Sequence, residues 1–104
     1  MSTTLKNYTR SNVGTSNVSV YNPTTSNIKS TLIGCFLCNT STYAITVNVM
    51  LNSTYIVKNL TIPVGNSLDI ISGGKLIMQQ NDNLYVSSSV SSSLDATVSV
   101  VEVV

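Results

Sequence analysis

Residues 43–51 alternate in side-chain character without a break. Tyr43, Ile45, Val47, Val49 and Leu51 fall on one side of an extended chain, and Thr46 and Asn48 fall on the other. A period of two marks a strand with one buried face, so this segment is predicted as a half-buried strand. The turn-forming run Asn39-Thr40-Ser41-Thr42 precedes it and Asn52-Ser53 follows. From residue 28 to 59 the pattern therefore predicts three antiparallel strands in a meander, the third at 54–58.

Further along, Pro63-Val64-Gly65-Asn66 reads as a turn, with proline fixing one dihedral and glycine free to take a positive one. Residues 67–71, the pair Gly73-Gly74 and residues 75–79 together predict a second hairpin. Asn81-Asp82-Asn83 is another polar turn, leading into a strand from Leu84. The serine-rich run 87–93 is read as a strand end plus a loop. The closing stretch 96–104 is apolar to its last residue, which predicts a strand inside a sheet and not at its edge.

The front of the chain carries weaker signals. Residues 4–10, 17–21 and the Asn22-Pro23 turn suggest one or two short strands, or an extended arm that orders against a neighbour. Nowhere do apolar residues recur at the helical period between recognisable caps, so no helix is predicted. Roughly eight short strands at near-regular spacing predict an all-β protein, an antiparallel β-sandwich of jelly-roll or Ig-like type. At 104 residues the chain is one domain. Within it, residues 1–26 form an N-terminal strand or arm and 27–104 the sandwich core.

Composition narrows what such a domain does. Only 9% of residues are charged, there is no histidine, and the formal net charge is +1. Lys6, Arg10, Lys29, Lys58 and Lys75 are spread singly, so no basic cluster exists to gather phosphates, and no nucleic-acid partner is expected. All four carboxylates, Asp69, Asp82, Asp95 and Glu102, lie in the last third. The opening residues lack the apolar stretch of a secretory signal, and no apolar run approaches membrane-spanning length. A soluble product of the cytoplasm without a membrane role is expected.

Candidate chemistry is sparse. Cys35 and Cys38 form a C-x-x-C, but within an apolar strand residues three apart point to opposite faces, which argues against a disulfide or half a zinc site. The expectation is reduced thiols, one of them packed in the core. The serines have no histidine to activate them, and lone lysines such as Lys58 and Lys75 read as surface charges. Asp69, Asp82 and Asp95 recur at a regular interval that fits one acidic residue per hairpin better than a calcium or acid–base pair. Five Asn-x-Ser/Thr sequons, at Asn7, Asn17, Asn39, Asn52 and Asn59, are expected by chance at this composition. Tyr8, Tyr21, Tyr43 and Tyr55 raise a sugar-stacking possibility, but tyrosines at the rim of a core or an interface are the commoner case. No catalytic residue, cofactor site or metal site is assigned.

One stretch resembles a known group. Residues 55–68, with Ile62-Pro63-Val64-Gly65-Asn66-Ser67-Leu68 at their end, are followed by Lys75-Leu76, by Asn81-Asp82-Asn83-Leu84-Tyr85-Val86, and by Ser93-Leu94-Asp95-Ala96-Thr97-Val98-Ser99-Val100-Val101-Glu102-Val103. In this order they resemble small virion structural proteins of tailed bacteriophages, from about Cys35 onward. The chain departs from that pattern at Asp82-Asn83, where Gly-Asp is expected. The resemblance implies a compact β-sandwich present in many copies on the particle, not an enzyme, whose partners are other copies of itself and other virion structural proteins. A symmetric oligomer outside the head or at the neck or collar is the first expectation. A tail or baseplate accessory is a second, and a carbohydrate-binding, adhesive module for host-surface recognition is a third.

Overall fold

A computed structural model describes residues 2–71 and 74–104. Within them the chain forms β1 (Thr3–Val13), β2 (Val18–Tyr21), β3 (Lys29–Asn39), β4 (Ile45–Leu51), β5 (Thr54–Ile62), β6 (Ser67–Asp69), β7 (Leu76–Gln79), β8 (Leu84–Ser88) and β9 (Leu94–Val103). No helix occurs among the described residues. One sheet runs β1-β9-β3 with both β6 and β7 on the far side of β3; the other runs β2-β8-β4-β5. Every pairing is antiparallel.

The pairings nest. β1 pairs with β9, β2 with β8, β3 with β6 and β7, and β4 with β5. The whole chain behaves as one long hairpin rolled over until β9 meets β3 and β8 meets β4. This is jelly-roll connectivity, so of the two sandwich types compatible with the sequence the strand order selects the jelly roll.

Strand faces follow the residue pattern. In β9, Leu94, Ala96, Val98, Val100 and Glu102 are buried while the residues between them are half-buried. They meet Leu32, Leu37, Val47, Val49 and Val86, which are fully buried, so the core fills the space between the two sheets. Burial of this apolar surface is the main stabilising term for so small a domain. The predicted strand at 43–51 forms from Ile45, with Ile45, Val47 and Val49 inward. Tyr43 lies outside it and is exposed, because Asn39 and Ser41 bind the Tyr43 carbonyl and hold it in the preceding loop.

Two expected hairpins are corrected. β3 and β4 do not pair in a meander; they lie in different sheets, and only the β4–β5 turn is a hairpin. Buried Asn39 makes the crossing, its amide nitrogen donating to the carbonyls of Tyr43, Ile62 and Pro63. Nor do 67–71 and 75–79 pair with each other: β6 and β7 both pair with β3, one after the other along its edge. Asp69 fixes the interruption, accepting from the amides of Cys35 and Ile71. The expected Gly73-Gly74 turn falls partly outside the described residues at Gly73; Gly74 donates to the Ile71 carbonyl. The N-terminal stretch forms two strands, one in each sheet, and β9 sits inside its sheet as expected.

The abundance of asparagine has a backbone cause. Asn12, Asn27, Asn52, Asn59 and Asn81 all adopt positive φ, joined among non-glycine residues by Ser92. Asparagine tolerates the left-handed region better than other residues with a side chain, and here it does the work often given to glycine.

Candidate functional site

A cleft of about 330 Å³ opens between the edge strands β1 and β2, lined by Lys6, Tyr8, Arg10, Ser19, Tyr21 and Glu102, with residues 22–25 closing one end. Its floor is polar for a reason of register. Glu102 occupies an inward position of β9, in phase with Val98 and Val100, so the alternation that builds the core also buries a carboxylate. A buried carboxylate must be matched by donors. Tyr21 donates to Glu102 Oε2 at 2.5 Å, Tyr8 donates to the same oxygen at 3.2 Å, and Lys6 Nζ lies 3.4 Å from Oε1. Ser30 Oγ is 2.6 Å from the Tyr21 oxygen. Since the single Tyr21 proton goes to Glu102, Ser30 is the donor in that pair. The two tyrosine rings pack at 4.8 Å between centroids.

Electrostatics follow from this cage. Burial alone would raise the Glu102 carboxyl, but hydrogen bonds from Tyr21, Tyr8 and Lys6, with the Lys6 charge, outweigh it and hold the carboxyl below the usual glutamate range. Burial first, and then the Glu102 bond and charge, push the Tyr21 hydroxyl well above the usual tyrosine value. Tyr8 is raised by the same causes in smaller measure. The bond to Glu102 raises the Lys6 ammonium. The arrangement holds one negative charge in place with every donor engaged, and no buried polar side-chain atom among the described residues lacks a partner.

The other carboxylates are engaged with backbone. Asp95 accepts from the Asn12 amide at the irregularity in β1, and Asp82 accepts from the Gln79 amide and from Asn52. Asp82 thereby closes the turn before β8, with left-handed Asn81 supplying the reversal. Among the described residues no group of three His, Cys, Asp or Glu side chains is placed to hold a metal ion. Cys35 is buried inward and Cys38 is half-buried on the opposite face, both as free thiols. Burial, with the nearby Asp69 charge, pushes the Cys35 thiol up to about 12.

The four tyrosines singled out from the sequence divide. Tyr8 and Tyr21 meet in the cleft; Tyr43 and Tyr55 lie at opposite ends of the β4–β5 ladder. Tyr55 pairs with Met50, and Met50 with Tyr85, giving a Tyr85–Met50–Tyr55 row on the outer face of its sheet, with Lys58 5.1 Å above the Tyr55 ring. Sequence reasoning passed over Tyr85 and the buried role of Glu102. The signal for Glu102 was present: it continues the inward phase of β9. On the outer face of the other sheet, Leu5, Val101, Thr31 and Ile77 face one another strand by strand, another row with apolar side chains exposed.

In comparisons with known proteins, no family model and no curated protein sequence matches this chain.

Proposed function

We propose that this protein is a non-enzymatic structural subunit of a bacteriophage virion. It assembles with copies of itself and with other virion proteins on the outside of the head or at the neck. A place on the tail or baseplate is the variant reading. The observation that carries the proposal is the state of the ionisable groups: all four carboxylates are committed to holding backbone or side chains in place. What the molecule offers outward is two sheet faces made mostly of hydroxyl, amide and apolar groups, with single lysines such as Lys29 and Lys58 among them. Such faces desolvate at lower cost than charged ones and suit repeated protein contacts. The jelly roll adds analogy, since it is a recurrent fold of viral shells. The test is to add purified protein to phage particles lacking it. Saturable binding at a regular copy number is expected; no affinity for head, neck or tail overturns the reading.

One observation favours a second reading. The Tyr85–Met50–Tyr55 row on an exposed sheet face is the kind of platform on which sugar rings stack, and the jelly roll also serves lectins. Glycan-array binding lost in Tyr55→Ala would support it, and a blank array removes it.

A further inference from the structure

The backbone of β1 points half of its hydrogen-bonding groups away from the molecule. Ser2 and Val104 exchange both of their backbone bonds, at 2.9 and 3.0 Å. Such pairs alternate along an antiparallel ladder, and β1 keeps one register against β9 from Thr3 to Arg10. Hence Thr4, Lys6, Tyr8 and Arg10 turn N–H and C=O toward β9, while Thr3, Leu5, Asn7 and Thr9 turn theirs to the free edge.

The other sheet edges are blunted. β2 has four residues and a shift between Ser19 and Tyr21. β5 shifts register twice and carries left-handed Asn59. The far edge of the β1-containing sheet is split into β6 and β7. Natural sheets use such interruptions to stop edge pairing, and β1 lacks one over its first eight paired residues.

We propose that two copies of this chain pair through β1, antiparallel about a two-fold axis at Leu5, joining their sheets into one. The occupant is a second copy because the edge is complementary to itself at that axis. Leu5, 73% exposed, meets Leu5 of the second copy, and the Ile77–Thr31–Val101–Leu5 row continues unbroken across the dimer. Thr3 faces Asn7 of the second copy and Lys6 faces its Thr4, so the ammonium stays with Glu102. An axis at Lys6 would set two ammonium groups opposite each other, which is destabilising. An axis at Asn7 would leave Leu5 against a threonine. The interface is isologous and closes at two copies.

The inference rests on the assembly reading above, and its test is separable from it. Sedimentation of the purified chain across a range of concentrations is expected to show a dimer. Leu5→Lys and Asn7→Pro each weaken it about tenfold or more, since one sets like charges opposite and the other removes an edge N–H. Asn7 gives no backbone bond to β9 and loses only an exposed side-chain bond from Ser99, so the proline variant lowers the melting transition far less than Lys6→Pro does. In a Cys38→Ser background, Leu5→Cys is expected to oxidise to a disulfide-linked dimer and Asn7→Cys to stay monomeric. A wild-type chain that sediments as a monomer, a dimer untouched by both Leu5→Lys and Asn7→Pro, or cross-linking through Asn7→Cys in place of Leu5→Cys overturns the proposal. A chain that is monomeric yet binds particles refutes the edge pairing alone; a dimer without particle binding refutes the virion reading alone.

Discussion

Tyr21 donates its hydroxyl proton to Glu102 at 2.5 Å in the interior, although 81 residues separate them in sequence. The bond joins a strand of one sheet to an interior strand of the other, so it ties the two halves of the sandwich at the cleft end. A buried carboxylate between apolar neighbours is tolerable only while such donors are in place.

Removing the hydroxyl while keeping the ring isolates that bond. Tyr21→Phe is expected to destabilise the fold by about 1.5–3 kcal/mol, the range for a hydrogen bond to a charged group. Tyr8→Phe, whose bond is longer and less buried, should cost less. Urea unfolding of the two variants side by side checks the order.

The pair also bounds stability in pH. Glu102 has a folded pKa below its unfolded one, so its contribution is complete above the ordinary glutamate range and is lost as pH falls through the folded value. Tyr21 is shifted up from 10.0, so its contribution is complete below that value and fades as pH rises beyond it. Urea midpoints measured against pH should therefore fall at both extremes. Glu102→Gln should flatten the acid limb, and Tyr21→Phe should shrink the alkaline one.

The cysteines should differ sharply in reactivity. Cys35 is fully buried with its thiol raised to about 12, and Cys38 faces outward half-buried. A thiol reagent is expected to label Cys38 alone in the native protein, and Cys35 only on unfolding, with no internal disulfide formed in air. Mass spectrometry after timed labelling reads both outcomes.

Asn59 offers a test of the left-handed asparagines. Its φ is 54°, and its amide donates to Asn48 Oδ1 at 2.8 Å, fixing the irregularity in β5. Asn59→Gly should be nearly neutral, whereas Asn59→Val should cost roughly 1–3 kcal/mol of backbone strain. Thermal melting of the two variants separates them.

What the sequence reveals and what it hides divide along a physical line. The alternation at Ile45–Leu51 and in β9 states which side chains face inward, because that depends only on neighbouring residues. It does not state which sheet a strand joins. β3 and β4 are consecutive and look like a meander, yet the buried Asn39 network sends them to different layers. The β6–β7 break was equally hidden, since Asp69 secures it by bonding the Cys35 amide across the sheet. Glu102 could be placed on the inward face from its phase, but its partners Tyr8 and Tyr21 come from the opposite end of the chain.

The central place of β9 between β1 and β3 has a consequence for biosynthesis. The ribosome makes β1 and β3 long before the strand that must lie between them, so one whole layer waits for residues 94–103 to emerge. Until then β1 and the β9-facing edge of β3 expose unsatisfied ladders, so closure of this layer awaits a late strand and folding is slow for so small a domain. Ribosome-stalled chains ending before Leu94 would thus be protease-sensitive and prone to aggregate.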